Sequence, residues 1–168
     1  MKKITLNFCN NFSAEINAGQ NVIPFFIIFS TFAQITEQTD MNIEEFREYC
    51  LSLGGVTDKM PFGKAASEFD RNLLVFYVLD KWFCLVNIDE FGYCIIRCAP
   101  DDIGELQARY DEVQPAYHMN KKHWINVYFN RSLSDETVLR MVKASYDIAV
   151  TTLTKKQRES LRELQEEM

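Results

Sequence analysis

Glycine and proline are scarce, six and four among 168 residues, and no repeat or low-complexity tract interrupts the chain. A linker-dominated or fibrous protein is thereby excluded. Cysteine occurs five times, at Cys9, Cys50, Cys84, Cys94 and Cys98, with no C-x-x-C pair. The odd count and the spacing give neither a disulfide framework nor a zinc ribbon, and read instead as buried, reduced thiols of a cytoplasmic protein. For Cys94 and Cys98, core packing is the stronger reading and a shared metal the weaker. Net positive charge is missing too: at −6 the chain has no global attraction for polyanions, so any contact with nucleic acid needs a local basic face. The single glycine pair, Gly54-Gly55, follows a helix and does not open one, so no phosphate-cradling loop is present. No nucleophile elbow or comparable motif nominates a catalytic serine or cysteine. The expectation is a protein without catalytic activity or cofactor.

What is present is an ordinary globular composition, 47% hydrophobic and 25% charged, enough to build the core of one domain. Residues 1–40 differ from the rest. Asn-rich polar residues surround one apolar run, Val22 to Ala33, which Pro24 interrupts and which is too short to span a bilayer as a helix. Three readings of this extension stand: an in-frame segment ahead of a natural start at Met41, a signal or anchor, or an accessory strand or hairpin. No membrane partner is expected for the domain itself.

From Met41 the pattern sharpens. Asn42 with Glu45 three residues on is a capping box, and Ile43, Phe46, Cys50 and Leu51 recur on one helical face. The stretch VTDKMPFGKAASEF then reads as loop. Leu73 to Leu79 and Trp82 to Ile88 form a hairpin about Asp80-Lys81, and Tyr93 to Cys98 adds a third antiparallel strand. Pro100 starts a helix whose inner stripe is Ile103, Leu106 and Tyr110, with Asp101 and Asp102 at its positive end. Trp124 to Phe129 alternates as a strand. Ser134 caps a helix with Val138, Met141, Val142, Ser145 and Ala149 on its buried face, and Thr154 with Gln157 begins a last helix. That terminal helix keeps only Leu161 and Leu164 as apolar residues and reads as solvated. The order predicts an α+β domain, a two-layer antiparallel sheet with helices packed on one face, spanning residues 41–153 and followed by the helix of 154–168.

The densest polar stretch is PAYHMNKKHW, residues 115–124, which holds both histidines and runs directly into a strand. His118 and His123 with Asp111 or Glu112 are candidate metal ligands by type, but their spacing across a loop fixes no geometry, and no metal site is expected. Two readings of the loop stand side by side. In one, His118, Asn120 and Tyr117 hold the loop backbone and Trp124 fills the core. In the other, Lys121, Lys122 and His123 form a basic edge with Arg131 at the far end of the strand, extended by Lys64 and by Lys59 and Lys81. Cations beside aromatics are what phosphate contact and base stacking require.

The segments MPFGK, LDKWFCLV, RCAPDDIGEL, PAYHMNKKHW and SYDIAV follow one another as in the MmcQ/YjbR family, and the chain resembles that family over about Met41 to Val150. The most specific part is the loop, where Pro115, Tyr117, His118, Met119, Asn120, Lys121, His123 and Trp124 match the family pattern. The resemblance implies a small cytoplasmic α+β fold similar to secretion chaperones and to the double-wing DNA-binding domain of the MotA C terminus. It implies no established catalytic activity. DNA is therefore the leading expected partner. A protein partner or homodimer is the alternative, and a small-ligand pocket under the histidine loop is a further one.

Overall fold

The computed structural model describes residues 40–116 and 118–166. The readings of residues 1–39, Cys9 among them, and of Tyr117 lie outside the described residues. In chain order the elements are α1 (Ile43–Ser52), β1 (Val56–Lys59), α2 (Glu68–Arg71), β2 (Leu73–Val78), β3 (Lys81–Asn87), β4 (Tyr93–Arg97), α3 (Pro100–Arg109), β5 (Val113–Pro115), β6 (Trp124–Tyr128), α4 (Asp135–Thr151) and α5 (Lys155–Glu166). The strands form one six-stranded sheet in the order β1-β2-β3-β4-β6-β5, with every neighbouring pair antiparallel. This is the α+β architecture that the sequence predicts.

Local chemistry accounts for the helix starts. Asn42 Oδ1 accepts from the Glu45 amide at 3.0 Å and Glu45 returns the bond to the Asn42 amide, which satisfies two of the free N–H groups opening α1. Ser134 caps α4 through the Thr137 amide, and Pro100 sits in the first turn of α3. The elements that the sequence reading passes over are β1, α2 and β5. The first, VTDK, carries one apolar residue, and the last is three residues long and ends in proline. Both are edge strands, where short polar segments and proline are tolerated because one row of backbone groups faces water.

The two faces of the sheet are built differently. Against one face pack α1 and α4, closing a large core that contains Phe46, Phe76, Phe83, Ile96, Ile125 and Val127. Ser145 of α4 is buried and bridges two strands: its hydroxyl donates to the Phe83 carbonyl and accepts from the Arg97 amide at 2.8 Å. The other face has a much smaller cluster, Val75, Leu85, Ile95, Ala116 and Trp124, against which Phe62, Tyr77, Trp82, Tyr93 and Met119 are half-buried. Among the described residues no long helix covers it. The loops that carry Phe62 and Met119 lie against it, and Phe69 of α2 stacks on Tyr93 at 6.4 Å.

The terminal helix α5 is exposed along most of its length, as its sparse apolar pattern predicts, yet it is tied to the domain. Leu161 is only 4% exposed, and a Cβ placed on Gly55 would collide with its Cδ1. Gly55 has φ +69°, so the glycine both ends α1's exit turn in a left-handed conformation and leaves the space that Leu161 fills. Gln157 Nε2 donates to Asp80 Oδ1 at 2.9 Å, and the Tyr146 hydroxyl donates to the Gly54 carbonyl at 2.7 Å.

Candidate nucleic-acid interface on the open face of the sheet

The loop from Ala116 to His123 connects β5 to β6 and is shaped by Asn120. Its Oδ1 accepts from the Lys122 amide at 3.1 Å while its carbonyl accepts from the His123 amide at 2.9 Å, a side-chain-supported turn. His118 takes φ +61°, a left-handed conformation in which histidine is over-represented among non-glycine residues. The His123 carbonyl accepts from the Cys98 amide at 2.9 Å, which extends the β4–β6 ladder by one step and anchors the loop's exit. Inside, Ala116 is fully buried and Trp124 is 9% exposed, with Met119 packed against the same cluster. Outside, Pro115, His118, Asn120, Lys121, Lys122 and His123 are exposed. The loop is thus an apolar underside beneath a polar crest.

Strand alternation and register decide what stands beside it. Tyr93, Ile95 and Arg97 of β4 pair with Tyr128, Asn126 and Trp124 of β6, so these six side chains share the open face. The Arg97 guanidinium lies over the Trp124 ring at 5.5 Å, Arg131 over Tyr128 at 4.3 Å, and Lys59 of the edge strand over Tyr77 at 5.7 Å. Tyr93 and Tyr128 are 5.0 Å apart, and Phe62 meets Trp82 edge-on at 5.7 Å. Two buried polar atoms on this face have no hydrogen-bond partner among the described residues, Arg97 Nε and Asn126 Oδ1.

Charge follows the same division. The six strands contain Lys59, Lys81 and Arg97 but a single acid, Asp58, and that acid is paired with Arg47 of α1 at 2.5 Å on the helical side. Acids outnumber bases on α1, α3 and α4, while α5 carries four bases against three acids and α2 brings Glu68 and Asp70 to the open side. The net charge of −6 is therefore carried largely by the helical layer. Glu112, at the start of β5, is buried, and Ser132 donates to it from both its amide and its hydroxyl. The Ser132 hydroxyl above all, with a contribution from Arg131, holds the Glu112 carboxyl below the usual carboxylate range.

The structure brings together some of the residues picked from the sequence and separates others. Lys121, Lys122 and His123 project from one end of β6, and the exposed Lys64 rides on the loop whose Phe62 joins the cluster under Met119 and Trp124. Arg131 lies past the other end of β6, a strand that itself spans roughly 13 Å at ~3.3 Å per residue. Cations thus stand at both ends of β6, as the edge drawn from Lys121 to Arg131 expects, and Arg97 and Lys59 add cations on the face between and beyond them. Arg97, Tyr93 and Tyr128 are the residues that sequence reasoning missed. The alternation in YCIIR carried part of the signal, but only the pairing register sets Arg97 opposite Trp124.

Among the described residues no group of three or more His, Cys, Asp or Glu is arranged to hold a metal ion. Cys50, Cys84, Cys94 and Cys98 are free and buried. Burial first, and Asp102 second, push the Cys98 thiol up to about 11, and burial with the neighbouring Cys50 and Cys94 raises Cys84 well above its ordinary value. Such thiols are neutral at pH 7 and poor nucleophiles. No helix among the described residues is long and apolar enough to cross a membrane.

Comparison with known proteins agrees with the fold. The family profile described as YjbR matches residues 51–148. The uncharacterized protein YjbR of Escherichia coli strain K12 is 28% identical over 125 residues, covering 74% of this chain and 100% of that protein. The uncharacterized protein YbdF of Escherichia coli O157:H7 is 30% identical over 106 residues, or 62% of this chain and 86% of that protein. Among solved structures, Deinococcus radiodurans protein DR2400, which carries the domain DUF419, superposes with a TM-score of 0.61 at 24% identity, covering 71% of this chain and 87% of that one. A Pseudomonas syringae protein superposes with a TM-score of 0.52 at 24% identity, covering 65% and 99%. With a profile that spans more than half of its length and a relative, YjbR of Escherichia coli, that aligns over its whole length, the chain belongs to the YjbR family.

Proposed function

We propose that this domain binds nucleic acid, DNA in the first instance, on the open face of its sheet, and that it does so as a cytoplasmic protein without catalysing a reaction. The observation that carries the reading is the set of three cations held over aromatic rings on that face, Lys59 over Tyr77, Arg97 over Trp124 and Arg131 over Tyr128. Tyr77 and Tyr128, half-buried, give flat surfaces on which bases stack, Trp124 is buried beneath Arg97, and the cations beside the rings meet the phosphates that follow each base along a strand. Single-stranded DNA suits this arrangement best, because its bases are free to reach the rings. Lys64, Lys121, Lys122 and His123 supply further phosphate contacts from the loops. The excess of acids on α1, α3 and α4, in the opposite layer, lets an acidic protein present a locally basic face. A protein-partner or homodimer reading has less support, since the large apolar side chains exposed among the described residues, Met60 and Leu164, sit on separate elements.

The test is the salt dependence of binding. The wild-type chain is expected to bind single-stranded DNA more tightly than about 100 μM at physiological salt, the weak limit of ordinary non-specific binding. In a Lys121→Glu, Lys122→Glu double variant, the slope of log K against log salt becomes shallower by roughly 1 to 2 units, since each lost phosphate contact removes ~0.7 of counterion release on a single strand. Stability hardly changes, because both side chains are exposed. No binding by the wild type overturns the proposal, and binding with an unchanged slope removes the histidine loop from it.

A further inference from the structure

A second concavity lies on the other side of the sheet, away from the histidine loop. It is a cleft of ≈ 490 Å³ between α3 and α4, a volume within the range of small-molecule sites. Its floor is Ile96 and Ile125, and its walls include Leu106 of α3 with Met141 and Ile148 of α4. Leu106, Met141 and Ile148 are only half-buried, and α3 has no fully buried residue. An amphipathic helix in contact with a core normally buries part of its apolar stripe completely. Here Leu106 and Tyr110 of the inner stripe, partly buried against the core, also line the cleft.

The rim is charged and unpaired. Arg109 and Arg140 line the cleft from opposite helices, and neither has an acidic partner within 4.0 Å among the described residues. Glu105 stands four residues before Arg109 on α3, the spacing of a helical ion pair, yet Arg109 lies over the Tyr110 ring at 5.3 Å instead. Arg140 Nη2 donates to Thr137 Oγ1 at 2.9 Å, which orients its guanidinium and leaves its other donors available. Asp102 and Glu105 also line the cleft, so the rim is not uniformly positive. Their charges oppose a polyanion, while two arginines, one in the last turn of α3 and one in the second turn of α4, suit one small planar anion.

We propose that this cleft binds a small amphipathic monoanion, a medium-chain or aryl carboxylate, with its apolar body on Ile96, Ile125, Leu106 and Met141 and its carboxylate between Arg109 and Arg140. The ligand completes the burial that α3 lacks, and its single charge is taken by guanidinium groups that have no acidic partner. The proposal is independent of nucleic-acid binding, since the two sites lie on opposite faces of the sheet.

Decanoate, kept below its micellar concentration, is the probe, titrated into the full chain while amide resonances are followed by NMR. Saturable shifts confined to residues of α3, α4 and the ends of β4 and β6 are expected. Decanol, with the same chain and no charge, is expected to bind at least tenfold more weakly. The Arg109→Gln, Arg140→Gln double variant is expected to lose about tenfold in decanoate affinity, the scale of a lost charged hydrogen bond, and to leave decanol unaffected. Ala144→Phe, which fills the cleft from an exposed position on α4, is expected to abolish binding of both. Absence of saturable shifts, shifts spread over the whole surface, or equal affinity for decanol and decanoate each overturn the proposal. An arginine variant that remains folded and binds decanoate as the wild type does overturns the assignment of the head group.

Discussion

The two faces of one sheet put the same strands to different uses. On the helical face, alternate residues of β2, β3, β4 and β6 vanish into a core with Phe46, Phe76, Phe83 and Ile125 almost wholly excluded from water. On the open face the neighbouring residues of those strands stop halfway, with Tyr77, Trp82, Tyr93 and Tyr128 partly exposed and cations over three rings. Complete burial stabilises by roughly 1.5–3 kcal/mol per large apolar side chain and leaves nothing to contact a partner. Half-burial forgoes part of that gain and keeps a flat apolar surface in reach. The difference is a structural division of labour, and it has consequences that separate the two faces experimentally.

The largest expected effect is on stability. Phe76→Ala, on the helical face and fully buried, is expected to cost about 3 to 5 kcal/mol in urea unfolding, with the DNA affinity of the remaining folded protein unchanged. Trp124→Ala is expected to fall in the same range, since the ring is 9% exposed and central to the smaller cluster, and to weaken DNA binding in addition. A near-neutral Trp124→Ala places the ring on the surface alone and breaks the picture of a loop seated on it. Next in size is Leu161→Ala, expected to cost about 2 to 5 kcal/mol because Leu161 packs into the space left by Gly55. An unfolding midpoint equal to the wild type shows that α5 adds nothing to the helical face.

The smallest effect concerns the end of the open face near Arg131. The folded-state pKa of Glu112 lies below its unfolded value, chiefly through the Ser132 hydroxyl. Its stabilisation is therefore full above the ordinary carboxylate range and is lost as pH falls through the lowered folded value. Glu112→Gln is expected to lower stability at neutral pH and to flatten the acid limb of the pH–stability curve, the two proteins converging at low pH. Parallel curves for both proteins down to that pH leave Ser132 without effect on the carboxyl.

Much of the helical layer was legible in advance. Asn42 with Glu45, Pro100, Ser134, and Thr154 with Gln157 mark helix starts through interactions that span three residues, and the buried stripe of α4 follows from its own spacing. Edge strands were not legible, since β1 and β5 owe their conformation to partners: Val56 to Val78, and Val113 to Val127. The docking of α5 was hidden in the same way. A helix with one buried leucine reads as solvated until the glycine that receives that leucine, more than a hundred residues earlier in the chain, is known to lie beside it.

The candidate site divides along the same line. From the sequence alone came the loop, its exposed Lys121, Lys122 and His123, and the strand into which Trp124 leads. These depend on composition and on alternation with a period of two, which neighbouring residues specify between themselves. Only the tertiary structure decided that Arg97 stands over Trp124, that Arg131 lies over the Tyr128 ring, and that α1, α3 and α4 set their excess of acids behind the sheet. Those outcomes rest on strand register and on which layer a helix joins. Both are set by pairing and burial between segments distant in the chain, where a shift of one residue would turn every side chain of a strand to the other face.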